Sequence, residues 1–458
     1  MVFSSLMFLT CALPVALAVY YLLPRSLRNH WLLVFSLVFY AWGEPVYLLL
    51  MLFSIAFNYL CGLGMERFPA PRVRKGLMAL ALVVNLGMLF AFKYLGFFAG
   101  LAGKAFGFEA TVSALALPIG ISFYTFQALS YTIDVYRGTV PAQRSLPKLA
   151  LYITFFPQLI AGPILRYDGV APQIEQRRET LAGFAKGMRR FVVGLGKKVL
   201  IANAVAALAD EAFAASGLSL GSAWLGAIAY ALQILFDFSG YSDMAIGLGS
   251  MFGFEYPENF NEPYIALSVR DFWRRWHIAL STWFRDYLFI PLGGTRRGNA
   301  RHIVNLLIVF LVTGLWHGAG MTFLAWGVYY GLLSALDVAL DYRPAKSAAV
   351  RALQHLITLL LVLIGWVMFR ADTMADAVRY LHGMVSGGTL LLHSMTPRAL
   401  CAVALGCLCA TSLPRRALSA MPEATRERLS VVATPALLLL CLLTLASGAY
   451  NPFIYFRF

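Results

Sequence analysis

Long apolar segments recur along almost the whole chain, each followed by a short stretch rich in Arg or Lys, and this alternation restricts the fold more than any single motif. The segments at 1–23, 31–44, 46–64, 76–98, 114–133, 191–207, 223–250, 303–322, 324–340, 352–369, 399–413 and 431–449 hold few charges. Most are long enough to cross a hydrocarbon layer of about 30 Å as helix. In lipid every backbone polar group must be satisfied internally, so runs of this length read as helices. Of the 458 residues 60% are hydrophobic and only 13% charged, more apolar side chain than a compact water-soluble surface could hide. The expected fold class is therefore all-α: a polytopic protein of the lipid bilayer with about eleven to twelve transmembrane helices, forming one integral-membrane domain over 1–458. Disordered, fibrous and disulfide-rich classes are excluded. The six cysteines lie mostly inside apolar runs without paired C-x-x-C spacing and read as packing residues.

The net charge of +15 does not point to nucleic acid, because the basic residues fall between hydrophobic segments rather than on one folded face. They report topology instead. Placing Arg25, Arg28, Arg67, Arg72, Arg74, Lys75, Arg137, Arg144, Lys148 and the cluster from Arg166 to Lys198 in the cytoplasm puts the N-terminus outside. The segment from Leu149 to Leu165 is short and holds Pro157, Gly162 and Pro163, so it is expected to be re-entrant rather than spanning. The basic loops at 253–301, 341–351 and 414–430 then also become cytoplasmic.

Ionisable groups inside membrane segments are costly, which makes each one that cannot reach the surface a functional candidate. Asp237 and Asp243 interrupt the apolar run around Phe236-Asp237-Phe238-Ser239-Gly240, and His317 ends the run Gly314-Leu315-Trp316-His317. His317 follows Arg301 by 16 residues, about 24 Å along a helix, and therefore lies deep. A neutral imidazole in such a place can accept a proton from a hydroxyl or thiol, or can simply pack against a neighbouring carbonyl. Between these points runs Asn259-Phe260-Asn261-Glu262-Pro263-Tyr264 and then Asp271 to Tyr287. Helical periodicity puts Trp273, Trp276 and Trp283 near one face with His277, as in an interfacial amphipathic helix. Its sharper reading is an entry site where Arg274 and Arg275, beside Trp276, hold a phosphorylated or acidic donor. No metal site is expected, since His277, His302 and His317 lack ligand spacing. No G-x-S-x-G elbow supports a serine hydrolase.

Taken in order, these motifs resemble the membrane-bound O-acyltransferase family, and within it the bacterial alginate O-acetylation branch. The likeness rests on Met1-Val2-Phe3-Ser4-Ser5, on Pro118-Ile119-Gly120-Ile121-Ser122-Phe123-Tyr124 with Ile133-Asp134-Val135-Tyr136-Arg137, and on Gly162-Pro163-Ile164-Leu165-Arg166. It continues through the runs Phe236–Gly247, Asp271–Tyr287 and Gly314–Gly318 to the closing Pro452-Phe453-Ile454-Tyr455-Phe456. The resemblance implies a ring of tilted helices around a central funnel, with His317 as the essential histidine and His277 as a second functional one. Asp237, Asp243, Trp316 and Asn259 are expected to support them, the two aspartates by fixing helices and histidine tautomers. It also implies a bacterial inner-membrane enzyme with no bound cofactor and acetyl-CoA as co-substrate. The expected partner is a periplasmic or membrane-anchored SGNH-hydrolase-like acetyltransferase, and the final acceptor an exported polysaccharide such as alginate. Peptidoglycan or cellulose acetylation and D-alanyl transfer to teichoic acid are alternatives within the family. An export or transporter subunit, or a non-catalytic scaffold, is the alternative outside it.

Overall fold

The computed structural model describes residues 2–107, 115–160, 162–448, 450–452 and 454. Met1, Phe453, Tyr455 and Phe456 of the motifs above lie outside the described residues, as does residue 114, the first of the expected span 114–133. Among the described residues the regular structure is helical, apart from one parallel bridge between Leu218 and Leu390. Helices α1 (Phe8–Leu22), α2 (Arg25–Ala41), α3 (Tyr47–Arg67), α4 (Pro71–Phe106), α5 (Ile121–Arg137), α6 (Leu146–Thr154) and α7 (Tyr167–Glu175) come first. Two long helices follow, α8 (Leu181–Ala214) and α9 (Leu220–Met251), then the short α10 (Val269–Arg275) and α11 (Ile278–Phe284). The chain continues with α12 (Gly298–His317), α13 (Met321–Ala339), α14 (Ala348–Arg370), α15 (Met374–Ser386), α16 (Pro397–Cys409), α17 (Leu413–Ser419) and α18 (Glu423–Ala446).

All twelve expected membrane segments coincide with a helix. Eight of those helices, α3, α4, α8, α9, α12, α13, α14 and α18, are long and apolar enough to span by themselves, and the bent pair α16–α17 makes a ninth if it counts as one crossing. The expectation of eleven to twelve exceeds this because α1, α2 and α5 stop at 17 residues or fewer. For α5 the cause is local. Pro118 lacks an N–H, Gly120 adopts φ +78°, and a Cβ there would stand 2.9 Å from the carbonyl oxygen of Leu159, so the helix starts only at Ile121. The Leu149–Leu165 region is a nine-residue helix (α6), a break at Phe155, and one turn over Phe156–Leu159. At 1.5 Å per residue α6 reaches about 14 Å, which is too short to cross.

The chain forms two compact units, one of Met1–Met188 with Ala245–Pro257, the other of Arg189–Met244 with Glu258–Phe458. In the first, α3, α4 and α5 meet through a buried polar lock: the Asn58 and Asn85 amides exchange hydrogen bonds at 3.0 Å, and Thr132 donates to Asn58 Oδ1 at 2.8 Å. Small and polar contacts of this kind hold helices together where lipid supplies no hydrophobic drive between them. In the second unit, close backbone approach does the same. Gly194 of α8 and Gly240 of α9 face each other so closely that a Cβ on either would stand 2.5 and 2.7 Å from the other's carbonyl oxygen. Helices α12 and α13 pair through Gly314 and Gly327, with a Gly327 Cβ 2.5 Å from the Phe310 carbonyl oxygen. That pairing sets where His317, three residues beyond Gly314, is held.

Candidate active site

The candidate site residues His317, His277, Asp237, Asp243, Trp316, Asn259, Arg274, Arg275 and Trp276 all lie in the second unit. His317 is the last residue of α12; Gly318 and Gly320 after it are extended, and α13 starts at Met321. Its ring is buried among aromatic rings, with Trp316, Trp326 and Phe369 at centroid distances of 5.0, 5.2 and 5.1 Å, all edge-on. His317 also lines a small, mostly apolar cavity of about 20 Å³, with Asp237, Phe238, Trp276, Trp326 and Trp366 among its other walls. A larger polar cavity of about 300 Å³ shares Phe369 and Ile454 with it and is bounded by Asp210, Gln233, Arg370 and Asp372. Asp210 is paired there with Arg370 at 2.7 Å and accepts from Tyr450 at 2.9 Å.

The expected amphipathic helix over 271–287 is instead broken. Helix α10 ends at Arg275 and α11 starts at Ile278, because His277 adopts φ +45°, a left-handed conformation uncommon for a residue with a side chain. The segment Asn259–Asn261 holds this bend: Asn259 accepts from the Ile278 N–H at 2.9 Å, and the Asn261 N–H donates to the Arg275 carbonyl at 2.9 Å. Nor do the tryptophans face an interface. Trp273 packs against Phe310, Trp326 and Tyr330, while Trp276 packs against Phe260, Phe272 and Trp366 at 4.7–5.6 Å. Packing rather than amphipathicity decides the path of this segment.

His277 is almost fully buried, with Phe238 edge-on at 4.6 Å, and Trp316 stands between the two histidines, 5.0 Å from His317 and 6.4 Å from His277. Its Nδ1 lies 3.1 Å from Asn259 Oδ1, and its Nε2 is buried without a hydrogen-bond partner. Burial pushes this imidazole down to about 3, so it is neutral at physiological pH. The flanking residues point to different places: Trp276 lines the His317 cavity, whereas Ile278 lines a third cavity of about 470 Å³. That cavity is bordered by Arg270, Arg274 and Arg285, with Ser281 and Thr282.

The supporting residues divide differently from the expectation. Asp237 does not touch a histidine; it pairs with Lys198 at 2.6 Å and accepts from the Ile454 N–H at 2.9 Å, while Lys198 also donates to the Pro452 carbonyl. Asp243 pairs with Arg190 at 2.8 Å and Lys197 at 2.6 Å. Both aspartates therefore fix helices to one another, whereas Trp316 packs against both histidines and Asn259 meets His277 through a hydrogen bond. Arg274 is exposed at the arginine-lined cavity, but Arg275 turns away, paired with Asp271 at 2.9 Å. Sequence reading missed Lys198 and Lys197 as buried-site partners and grouped them with the cytoplasmic loop charges. It also missed Ser242, Gln233 and the Asp210–Arg370 pair. Lys198 carried a usable signal, a charge immediately followed by Val-Leu-Ile-Ala; Ser242 and Gln233 carried none.

A helical membrane chain with two buried histidines, one on the wall of an apolar cavity and one in the bend between Trp276 and Ile278, has the parts of a group-transfer enzyme, and comparison identifies the class. Residues 37–371 match the model of the MBOAT, membrane-bound O-acyltransferase, family, and the chain belongs to that family and is a multi-pass membrane acyltransferase. It is 42% identical to the probable alginate O-acetylase AlgI of Pseudomonas aeruginosa over the full length of both chains. It is 46% identical to the probable alginate O-acetylase AlgI of Azotobacter vinelandii, covering 89% of this chain and 83% of that one. The peptidoglycan O-acetyltransferase of Helicobacter pylori is 36% identical over 86% of this chain and 81% of its own.

Proposed function

We propose that this protein transfers acetyl from acetyl-CoA to a hydroxyl destined for an exported polysaccharide, alginate being the acceptor its relatives' names favour, with His317 as the catalytic base. The observation that supports this reading is the place of His317, a buried imidazole on the wall of a small apolar cavity that shares Phe369 and Ile454 with a larger polar cavity able to admit a hydroxyl. The imidazole takes the hydroxyl proton as the oxygen attacks the thioester carbonyl carbon. The tetrahedral intermediate then collapses with cleavage of the C–S bond, and the departing thiolate receives that proton, so the ester and free CoA thiol are the products. Aromatic walls around His317 exclude the water that would otherwise compete as acceptor.

Arg270 and Arg274 give the third cavity the charge to hold the phosphates of CoA, while Arg285 beside them is paired with Asp286. The excess of Arg and Lys in the loops supports a reading in which the arginine-lined cavity opens to the cytoplasm of a bacterial inner membrane and the N-terminus lies outside. A separate SGNH-hydrolase-like partner beyond the membrane would pass acetyl on to the polymer. The test uses purified protein in sealed vesicles given radiolabelled acetyl-CoA and the partner, with wild type, His317→Ala and His277→Ala compared for CoA release and acetyl transfer. Loss of about a hundredfold or more in His317→Ala supports the assignment. Full transfer by a normally folded His317→Ala protein would overturn it, and movement of substrate without CoA release would indicate a transporter.

A further inference from the structure

The hydrogen bonds around His277 determine more than its position. The backbone N–H of Ala279 can only donate, and it lies 3.1 Å from one atom of the Asn259 side-chain amide, so that atom is the oxygen. The amide nitrogen consequently faces Ser242 Oγ at 2.9 Å and donates to it. Turning the amide over would set its N–H groups against the Ala279 N–H and would leave buried groups unsatisfied. The same Asn259 oxygen is 3.1 Å from His277 Nδ1. A carbonyl oxygen accepts and never donates, so the proton of this contact belongs to Nδ1. Only one ring proton is present on a neutral imidazole, and Nε2 is left bare.

We propose that Ser242 and Asn259 are positioning residues: together they form a relay that holds His277 in the Nδ1–H tautomer, so that Nε2 acts only as a hydrogen-bond acceptor in the reaction. This rests on the proposed acyl transfer and adds a division of labour to it. His277 receives an N–H or O–H of the substrates but donates no proton to the leaving thiolate, so proton movement stays with His317. The groups packed around His277 reinforce the assignment. Phe238 of α9, Phe260 of the Asn259–Asn261 segment and Trp316 of α12 are uncharged, and the nearby carboxylate, Asp237, is directed to Lys198 and Ile454. Among the described residues no contact supplies Nε2 with a donor. The left-handed backbone at His277 is itself held by the bonds from Asn259 and Asn261, so ring and backbone are fixed from the same segment.

The experiment is nitrogen NMR on full-length protein labelled with 15N-histidine in lipid nanodiscs, with His277 assigned by the signal lost in His277→Gln. Wild type is expected to show a protonated Nδ1 and an unprotonated Nε2, unchanged between about pH 5 and 8. Asn259→Asp keeps an acceptor opposite Nδ1 but adds a negative charge, so it should bring a doubly protonated ring into this range and give acetyl transfer a new acid limb. Ser242→Ala leaves Asn259 held by the Ala279 N–H alone, so it should broaden the Nδ1–H signal and lower kcat with little change in KM, and Ser242→Thr, which keeps the hydroxyl, should restore both. A wild-type spectrum with Nε2 protonated overturns the relay, as does an Asn259→Asp protein whose spectrum and pH profile match wild type. Because the tautomer is read without turnover, a failure of the acyl-transfer reading would leave this result standing or falling by itself.

Discussion

Lys198 and Asp237 form an ion pair at 2.6 Å with only 3% of each side chain exposed, in a segment where neither charge can reach water. The mutual attraction of such a pair roughly offsets what both ions lose on leaving water, so the pair as a whole adds little. Removing one partner is different, because the other remains as an uncompensated buried charge at a cost of about 3–5 kcal/mol. Lys198→Met leaves the Asp237 carboxylate with the Ile454 N–H alone, and Asp237→Asn leaves the ammonium with the Pro452 carbonyl. Each single variant should therefore melt several degrees lower in detergent. The double variant Lys198→Met/Asp237→Asn should recover most of the loss, with a coupling energy of about 2–3 kcal/mol. Intrinsic fluorescence is a suitable readout, since Trp276, Trp326 and Trp366 line the cavity that Asp237 also lines. If the double variant lost the sum of the two single losses, the pair would not be coupled and the reasoning would be refuted.

Other expectations are independent of that pair. Gly314→Ala would force a methyl against the carbonyl oxygen of Phe323, spreading α12 from α13; about 1–3 kcal/mol of stability should be lost, together with most acetyl transfer, by melting and turnover assays. Arg274→Ala should raise KM for acetyl-CoA severalfold with kcat nearly unchanged, whereas Arg275→Ala, which breaks the contact with Asp271, should lower stability instead. The acid side of the stability curve should respond to His277. Its folded value of about 3 lies below the unfolded value of about 6.5, so beneath pH 6.5 the unfolded chain binds a proton that the folded one does not. Its contribution is thus complete above about pH 6.5 and falls away as pH drops toward 3, and His277→Gln should flatten that part of a pH–melting series.

The membrane class and most helix positions could be read from the sequence because they depend on local composition: twelve apolar segments correspond to twelve helices. His317 stood out for the same reason, as an ionisable group far along an apolar run. Where the reading departed, distant partners decided the outcome. Asp237 and Asp243 were recognisable as buried carboxylates, but their cations come from α8, 39 to 53 residues earlier, and no local pattern specifies such a pairing. The break at His277 is another instance. Its neighbours have unbroken helical periodicity, and the left-handed turn exists only because Asn259 and Asn261 bind the chain on either side of it. Ser242, an ordinary small residue in a long helix, gains significance only from an asparagine 17 positions away.

The glycine contacts within the second unit bear on how material could pass through it. Gly194 against Gly240, and Gly314 against Gly327, join helix backbones directly, with no side chains between them that could repack as the helices slide. Transport by alternating access needs one group of helices to rock against another. Pairs welded at this distance resist that motion, so any movement that accompanies turnover within this unit should fall on side chains and loops, while these helix pairs keep His317 and the residues around it at fixed spacing.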